Sequence, residues 1–254
     1  MVLNDFQLQG KNALVTGSHR GLGAAIALAL AEAGANVACH GRSQDPGDVP
    51  ENIRAMGRQS SYFSGDIADP GICASLVEKT VAAFGSLEIL VNNAGIIRRA
   101  PAADYSPEDW NDVIATNLTS VFHLSQSAGR QMLKQGKGGK IVNIASILSF
   151  QGGIYVPAYA AAKGGVAQLT KAFSNEWAAH GINVNAIAPG YMATDNTTAL
   201  RNDAARNKQI VDRIPAGRWG NPGELAGAAV FLCSPASDYV HGHVLAVDGG
   251  WLAR

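Results

Sequence analysis

Short apolar runs alternate with segments of helical periodicity along the whole chain, and this alternation constrains the fold more than any other feature. The runs that predict buried strands are Asn12–Thr16, Asn36–His40, Ser60–Ser64, Leu87–Val91, Lys140–Ile144, Ile182–Ala188 and His243–Val247. Helical spacing follows over 22–33, Pro70–Phe84, Pro107–Gln135, Ala158–His180 and Pro222–Leu232. Strands that are regularly separated by helices form βαβ units, so the chain is predicted to be an α/β protein with a parallel sheet.

No linker, repeat or low-complexity tract divides the sequence, so we expect one domain over residues 1–254. The exception to its short connections is a mostly polar stretch at about 190–220, which is predicted to be a loop. Loops longer than ~15 residues inside compact domains usually form lids or binding loops. We therefore expect this segment to contact the substrate.

Charge and cysteine content limit the partners and the compartment. The chain has 20 Lys+Arg and 20 Asp+Glu, so a basic surface for nucleic acid or an anionic membrane is not expected. Its three cysteines are widely spaced and odd in number, which favours a reducing compartment over a disulfide framework. The first ten residues resemble no signal peptide, and no apolar stretch reaches the ~18 residues of a membrane span. A cytoplasmic protein is expected.

The segment Thr16–Gly23 (TGSHRGLG) follows the first predicted strand and opens the first helix. Its three glycines allow a tight turn and a close approach of the backbone to a pyrophosphate, which the helix N-terminus then stabilises. This context favours a dinucleotide site over an ordinary strand-to-helix turn. The only close histidine pair, His241 and His243, has no evident third ligand, so no metal site is expected.

Tyr159 and Lys163 are four residues apart in a predicted helix and therefore lie on one face. A free phenol titrates near pH ~10, which is too high for a base at neutrality. We expect the ammonium, together with the positive charge of an oxidised nicotinamide, to lower the tyrosine pKa. Ser146 follows the preceding strand, so its hydroxyl is predicted to meet the phenol at the carboxyl edge of the sheet.

Taken together, these motifs resemble the short-chain dehydrogenase/reductase family over essentially the whole chain. The motifs that carry the resemblance are Thr16–Gly23, Asp66–Ile67, Asn92–Gly95, Asn117, Ser146, Tyr159 with Lys163, and Pro189–Gly190 with Thr194. The resemblance implies a Rossmann-type doubly wound parallel sheet with helices on both faces. It also implies an NAD(P)-dependent oxidoreductase that acts on CH–OH groups.

The same resemblance implies roles for individual residues. Tyr159 would be the acid/base, and Ser146 would orient the substrate carbonyl or hydroxyl. Lys163 would hold the ribose, and Asn117 would anchor a water in the proton relay. The cofactor-binding residues implied are Gly17, Ser18, Arg20, Gly21, Leu22, Gly23, Arg42, Asp66, Ile67, Asn93, Ala94, Gly95, Tyr159, Lys163, Pro189, Gly190, Met192 and Thr194.

The end of the second strand indicates which dinucleotide is preferred. An NAD enzyme often places a carboxylate there to bind the ribose hydroxyls, but this chain has Gly41 and then Arg42. With Arg20 in the glycine loop, two arginines and no carboxylate favour the 2′-phosphate of NADP(H). The cofactor is therefore expected to be NAD(P)(H), with NADP(H) preferred and NAD(H) as the alternative.

The second half of the chain resembles the sugar-acid dehydrogenases of this family that serve uronate metabolism. The matching segments are Ile96–Arg99, Ser149–Gly153, Ile187–Thr194, Ile214–Gly220 and Gly249–Arg254. The implied substrate is a sugar acid such as 2-dehydro-3-deoxy-D-gluconate or 2-deoxy-D-gluconate. Arginines suit its carboxylate, and the candidate substrate residues are Arg99, Ser146, Gln151 and Arg218.

Two alternatives to this function remain at the level of sequence. One is a gluconate 5-dehydrogenase-like enzyme or another carbonyl reductase of the family, although a polar loop suits a steroid or acyl ketone poorly. The other is a non-catalytic dinucleotide sensor, which we would expect to have lost Tyr159, Lys163 or Ser146. All three are present.

Two predicted helices, Pro107–Gln135 and Ala158–His180, carry more apolar surface than one buried stripe requires. Such helices need a second partner to cover them. The family resemblance implies that they pair across a twofold axis and that pairs double into a homotetramer. A monomer is the alternative.

Overall fold

The computed structural model describes residues 1–254 and contains one seven-stranded sheet in the order β3-β2-β1-β4-β5-β6-β7. Every neighbouring pair is parallel. The strands are β1 (Asn12–Val15), β2 (Asn36–Gly41), β3 (Ser60–Ser64), β4 (Ile89–Asn92), β5 (Gly139–Ile144), β6 (Ile182–Pro189) and β7 (Val244–Val247). The predicted doubly wound parallel sheet is confirmed.

Helices cover both faces of this sheet. They are α1 (Gly21–Glu32), α2 (Val49–Ala55), α3 (Pro70–Phe84), α4 (Pro107–Ile114), α5 (Ser120–Gln135), α6 (Pro157–Trp177), α7 (Thr198–Asn202), α8 (Ala204–Arg213) and α9 (Ala226–Cys233). None is long and apolar enough to span a membrane.

Strand β1 shows why the sheet has a hydrophobic core on each side. Successive side chains of a strand point to opposite faces. Val15 therefore packs in one cluster with Ile26 of α1, whereas Leu14 packs in the other with Leu124 of α5. All four residues of β1 are buried, which explains its continuous apolar run.

The helical pattern predicted over 107–135 is interrupted in the structure. A π-helical turn, Ala115–Thr119, separates α4 from α5. Asn117 lies in this turn, and its buried side chain bonds both main-chain polar groups of Ile96. Single π turns insert an extra residue into a helix and often occur at functional sites.

Residues 190–220 were predicted to be a loop, and that prediction is wrong in its secondary structure. The segment contains α7 and α8, and the Asp203 side chain caps α8 by accepting a hydrogen bond from the Arg206 N–H. Ile210 and Ile214 bury against Trp251. Only this narrow apolar stripe distinguishes the segment from a polar loop, which is why its helices were missed. Helix α2 was not predicted from the sequence either.

Candidate active site

In the glycine loop between β1 and α1, two glycines let other groups come close to the main chain. Gly17 has a φ of +63°, and a Cβ there would lie 2.9 Å from the Cα of Ala94. A Cβ on Gly23 would collide with the main-chain oxygen of Gly17. Larger residues are therefore excluded at both positions, and the loop keeps a bare backbone surface at the N-terminus of α1.

Asn93, just after β4, fixes this loop from the neighbouring strand. Its Nδ2 donates to the main-chain oxygens of Thr16, at 2.8 Å, and Gly17, at 3.1 Å. In return, Oγ1 of Thr16 accepts from the N–H groups of Asn93, at 3.0 Å, and Ala94, at 3.1 Å. These hydrogen bonds hold the ends of β1 and β4 together.

Ser18 shapes the loop and does not face the cleft. It is fully buried, and its Oγ accepts from the His40 N–H at 2.9 Å, which joins the loop to the end of β2.

A cleft of about 290 Å³ opens beside this loop at the carboxyl edge of the sheet. It brings together most of the predicted cofactor residues, namely Gly17, Arg20, Gly21, Leu22, Gly23, Arg42, Asp66, Ile67, Asn93, Ala94, Gly95, Tyr159, Lys163 and Thr194. Open parallel sheets bind ligands at this edge. The glycine loop, the N-terminus of α1 and the arginines together fit the phosphates of a dinucleotide.

Several other residues line the cleft that sequence reasoning missed. They are His19, His40, Gly41, Gly65, Ile96, Thr116, Ile144, Asp195 and Asn196. Most of them adjoin a recognised motif in the sequence. Widening each motif by one or two residues would have found them.

Cationic and polar groups collect where the glycine loop meets the end of β2. Arg42 is exposed and forms no ion pair. Arg20 lies 3.2 Å from Oδ2 of Asp195, and both side chains are exposed. His19 lies beside them, and burial together with the Arg20 charge lowers its pKa. This part of the cleft suits an anion such as a phosphate monoester.

Lys163 is buried on α6 and points back to the sheet. Its Nζ donates to the main-chain oxygen of Ile144 at 2.5 Å and lies 5.6 Å from the centroid of the Tyr159 ring. Burial lowers the pKa of this ammonium to about 8. The lysine is therefore close to losing its charge at moderately alkaline pH.

The Tyr159 phenol lines the cleft, and burial raises its pKa. The neighbouring Ser146 hydroxyl and the charge of Arg99 act in the opposite direction, but their effects on the pKa are smaller than the effect of burial. In the protein chain alone, desolvation of the phenolate outweighs the lowering by Ser146 and Arg99. The expectation that Lys163 and an oxidised nicotinamide together lower this pKa concerns the complex with the cofactor and stays a prediction.

Ser146 and Asn117 differ in how free their side chains are. The Ser146 hydroxyl accepts from the Leu148 N–H at 3.1 Å and keeps its own proton available for another partner. The Asn117 amide accepts from the Ile96 N–H at 2.8 Å and donates to the Ile96 oxygen at 2.7 Å. Its side chain is thus occupied in holding the segment after β4, and it does not line the cleft.

The turn after β6 passes over the end of β7. The Gly190 N–H donates to the Val247 oxygen at 3.0 Å, and a Cβ on Gly190 would lie 2.6 Å from the Cα of Asp248. Gly190, Met192 and Arg218 line a separate cavity of about 90 Å³, whereas Pro189 completes the buried strand β6. These residues do not line the larger cleft.

The candidate substrate residues fall into two groups. Arg99 and Ser146 both lie close enough to Tyr159 to influence its pKa. Arg99 also donates a hydrogen bond to the main-chain oxygen of Asn196 at 3.3 Å. The other two candidates bond side chains outside the cleft. Gln151 accepts from Arg213 at 3.2 Å, while Arg218 binds Glu224 through both carboxylate oxygens, at 2.7 and 2.8 Å.

Comparison with known proteins agrees with this geometry. A family model described as enoyl-(acyl carrier protein) reductase (adh_short_C2) matches residues 17–252. The chain is 57% identical over the full length of both chains to the 2-dehydro-3-deoxy-D-gluconate 5-dehydrogenase of Dickeya dadantii (strain 3937).

Two solved structures are also similar. One, from Agrobacterium tumefaciens with bound NADP, is named as a candidate 2-deoxy-D-gluconate 3-dehydrogenase. It shares 56% identity at a TM-score of 0.93 and covers 99% of this chain and 100% of that one. The other is a gluconate 5-dehydrogenase from Burkholderia cenocepacia J2315 in complex with NADP and tartrate. It shares 41% identity at a TM-score of 0.96 and covers 100% of both chains. The glycine loop and the serine, tyrosine and lysine lie at one edge of the sheet, and the relatives match the chain from end to end. This chain belongs to the short-chain dehydrogenase/reductase family.

Proposed function

We propose that this protein transfers a hydride between NADP(H) and a keto or hydroxyl group of a sugar acid, with Tyr159 as the acid/base. The observation that carries the proposal is that Tyr159 and Lys163 line the same cleft as the glycine loop, with Ser146 next to Tyr159. The substrate follows from the relatives, which are named for 2-dehydro-3-deoxy-D-gluconate and 2-deoxy-D-gluconate.

A bound dinucleotide supplies a nicotinamide ring that accepts or delivers the hydride. The chain's own residues handle the proton. In the oxidation, the Tyr159 phenolate takes the proton of the substrate hydroxyl, and in the reduction the phenol returns it. The Ser146 hydroxyl holds the reacting oxygen near the phenol, while Lys163 is fixed by Ile144 beneath it. The positive charge of Lys163 counteracts the desolvation of the phenolate.

The preference for NADP(H) over NAD(H) rests on the unpaired Arg42, together with Arg20 and the lack of a carboxylate at the end of β2. Guanidinium groups bind a phosphate monoester through paired hydrogen bonds, whereas NAD enzymes commonly use an acid at this place. The NADP found in two similar structures supports this assignment.

Arg99 is the side chain that we assign to the substrate carboxylate, because it is the arginine whose charge reaches Tyr159. A carboxylate held there would place the rest of the sugar acid between Arg99 and Ser146. The second candidate function is gluconate 5-dehydrogenase activity, which the Burkholderia structure with tartrate favours.

A substrate panel tests the proposal. Reduced nicotinamide absorbance is followed with 2-dehydro-3-deoxy-D-gluconate, 2-deoxy-D-gluconate, gluconate and 5-keto-gluconate, each with NADP(H) and NAD(H). We expect the highest kcat/KM for one of the first two. Higher values for gluconate or its 5-keto form would favour the second candidate function. No turnover with any of them, despite tight dinucleotide binding, would favour a sensor.

Residues 1–254 are proposed to act as one domain, in which the helical segment at 190–220 shapes the substrate side. Its first residues meet the cleft through Thr194 and Asn196, and α8 packs behind Ile147, next to Ser146. A cytoplasmic location is proposed from the reduced, buried state of all three cysteines.

A homotetramer is proposed from an apolar hollow of about 480 Å³ between α5 and α6. Its floor includes Leu118, Phe122 and Leu169, and Gly165 leaves room for the Leu118 side chain. The ring centroids of Trp177 and Phe173 are 4.6 Å apart, and both rings pack inside the monomer. The exposed apolar face of α6 is therefore narrower than the sequence indicated. The remaining hollow can receive apolar side chains from a second copy.

A further inference from the structure

His40, the residue before the end of β2, lies under the glycine loop and is only 2% exposed. Its Nδ1 is 3.3 Å from the N–H of Gly17, and its Nε2 is 3.1 Å from the main-chain oxygen of Gly65. One imidazole ring therefore joins the loop after β1 to the turn after β3. These turns form neighbouring parts of the cleft wall.

The two partners decide where the ring carries its proton. The Gly17 N–H can only donate, so Nδ1 must accept, and the Gly65 oxygen can only accept, so Nε2 must donate. A neutral ring with its proton on Nε2 satisfies both. A charged ring would turn an N–H of its own against the Gly17 N–H and break that contact.

We propose that His40 is a positioning residue that holds Gly17 in its left-handed conformation for dinucleotide binding, and that it does so only as a neutral ring. The inference rests on the dinucleotide binding proposed above. It concerns the protein's own loop, because neither ring nitrogen of His40 needs to touch the cofactor.

The groups that face the ring explain why it is neutral at physiological pH. Burial is the largest influence and lowers the His40 pKa. His19, on the glycine loop, acts in the same direction, whereas the Gly65 oxygen and the Asp66 carboxylate, from the turn after β3, act against them. A histidine whose pKa is lowered stays neutral above its ordinary value of ~6.5 and gains a proton only in more acidic solution.

The pH dependence follows in sign. Because binding needs the neutral ring, dinucleotide affinity should be full near neutrality and fall as the pH drops through the His40 pKa. NAD⁺ is the cleaner probe, since it has no 2′-phosphate to titrate in the same range, and NADP⁺ is measured beside it. Binding is followed by calorimetry with the full chain and without substrate.

Two variants distinguish the loss of the His40 hydrogen bonds from a loss of folding. His40→Asn keeps an acceptor near the position of Nδ1 but cannot titrate, so it should bind within about threefold of wild type and lose the acid decline. His40→Leu removes both hydrogen bonds and should bind about tenfold more weakly at every pH. Thermal unfolding of each variant reports whether it folds. The ¹⁵N shifts of the wild-type ring report the tautomer directly and need no variant.

An Nδ1–H tautomer in the wild type would overturn the inference, as would an acid decline that persists in His40→Asn. Unchanged affinity in a folded His40→Leu protein would do the same. If the wild-type protein binds neither dinucleotide, the proposed function itself fails, which is a different outcome from tight binding that does not respond to His40.

Discussion

Lys163 and Ile144 are joined by a hydrogen bond from the lysine Nζ to the main-chain oxygen of the last residue of β5. The bond fixes a helical side chain to the edge of the sheet, directly beside the cleft. It also satisfies one of the three ammonium donors, so that the other two remain for a ribose and for the proton path. The position of Lys163 is therefore set by the sheet before any cofactor binds.

Replacement of Tyr159 by Phe should lower kcat about 10²–10⁴-fold, because only the hydroxyl can exchange a proton with the substrate. The dissociation constant for NADP⁺ should change by less than about twofold, since the ring is retained. Steady-state kinetics and calorimetry measure the two quantities. Tyr155→Phe is the matched control, because Tyr155 is exposed near the start of α6. A Tyr159→Phe enzyme that keeps half its activity would refute the assignment.

The affinity for the dinucleotide should fall as the pH rises through about 8, the pKa to which burial lowers Lys163. The sign follows because the lowered pKa brings the loss of the ammonium, and of its hydrogen bonds to ribose, into this range. Lys163→Ala should bind weakly and show no such decline. Fluorescence titration across this range checks both. Equal pH dependence in the variant and the wild type would contradict the role of the ammonium.

Arg42→Ala should weaken NADP⁺ binding about tenfold or more while leaving NAD⁺ binding nearly unchanged, because a guanidinium–phosphate contact is charge-assisted. Comparison of kcat/KM for the two cofactors is the measurement. Arg54→Ala provides a control, because Arg54 is exposed on α2 and bonds the Ser60 oxygen away from the cleft. A tenfold preference of the wild type for NAD would show that Arg42 does not bind a phosphate.

Asp195→Asn should tighten NADP⁺ binding about two- to fivefold, since Arg20 would no longer have to leave an exposed ion pair to reach a phosphate. NAD⁺ affinity should not respond. The difference between the two cofactors should shrink in high salt, which screens exposed pairs. An equal effect on both cofactors would indicate that Asp195 acts on the shape of the cleft and not through Arg20.

Leu169→Glu should convert the assembly into smaller particles, because a carboxylate in the hollow between α5 and α6 would be buried without a partner. Light scattering of the wild type should give about four times the 26.4 kDa mass of the chain. Glu78→Gln on α3 is a control outside the hollow. A wild-type particle of monomer mass would refute the tetramer.

The sheet and most of its helices could be predicted from sequence because their signals are local. The strand β3 and the helix α3 occur at their predicted bounds, since each is a single run between turn residues. The helices α2, α7 and α8 were missed because they expose most of their length and bury few positions.

Some features of the site could not be predicted because they depend on distant residues. The raised pKa of Tyr159 comes from burial by surrounding elements, and the engagement of Arg218 by Glu224 depends on the turn between them. The role of His40 depends on the turns after β1 and β3, which are distant from each other in sequence. A sequence shows which arginines are present, but only the folded structure shows which groups they contact.

The π turn at Ala115–Thr119 makes the site depend on chain length within a helix as well as on side-chain identity. A π turn holds one residue more than an α-helical turn, so deleting one residue here would let α4 and α5 continue as one regular α-helix with little change in the positions of the two helices. The side chain of Asn117 would then change direction and lose its two hydrogen bonds to Ile96. A one-codon deletion at this point would thus release the segment after β4 while leaving the flanking helices packed.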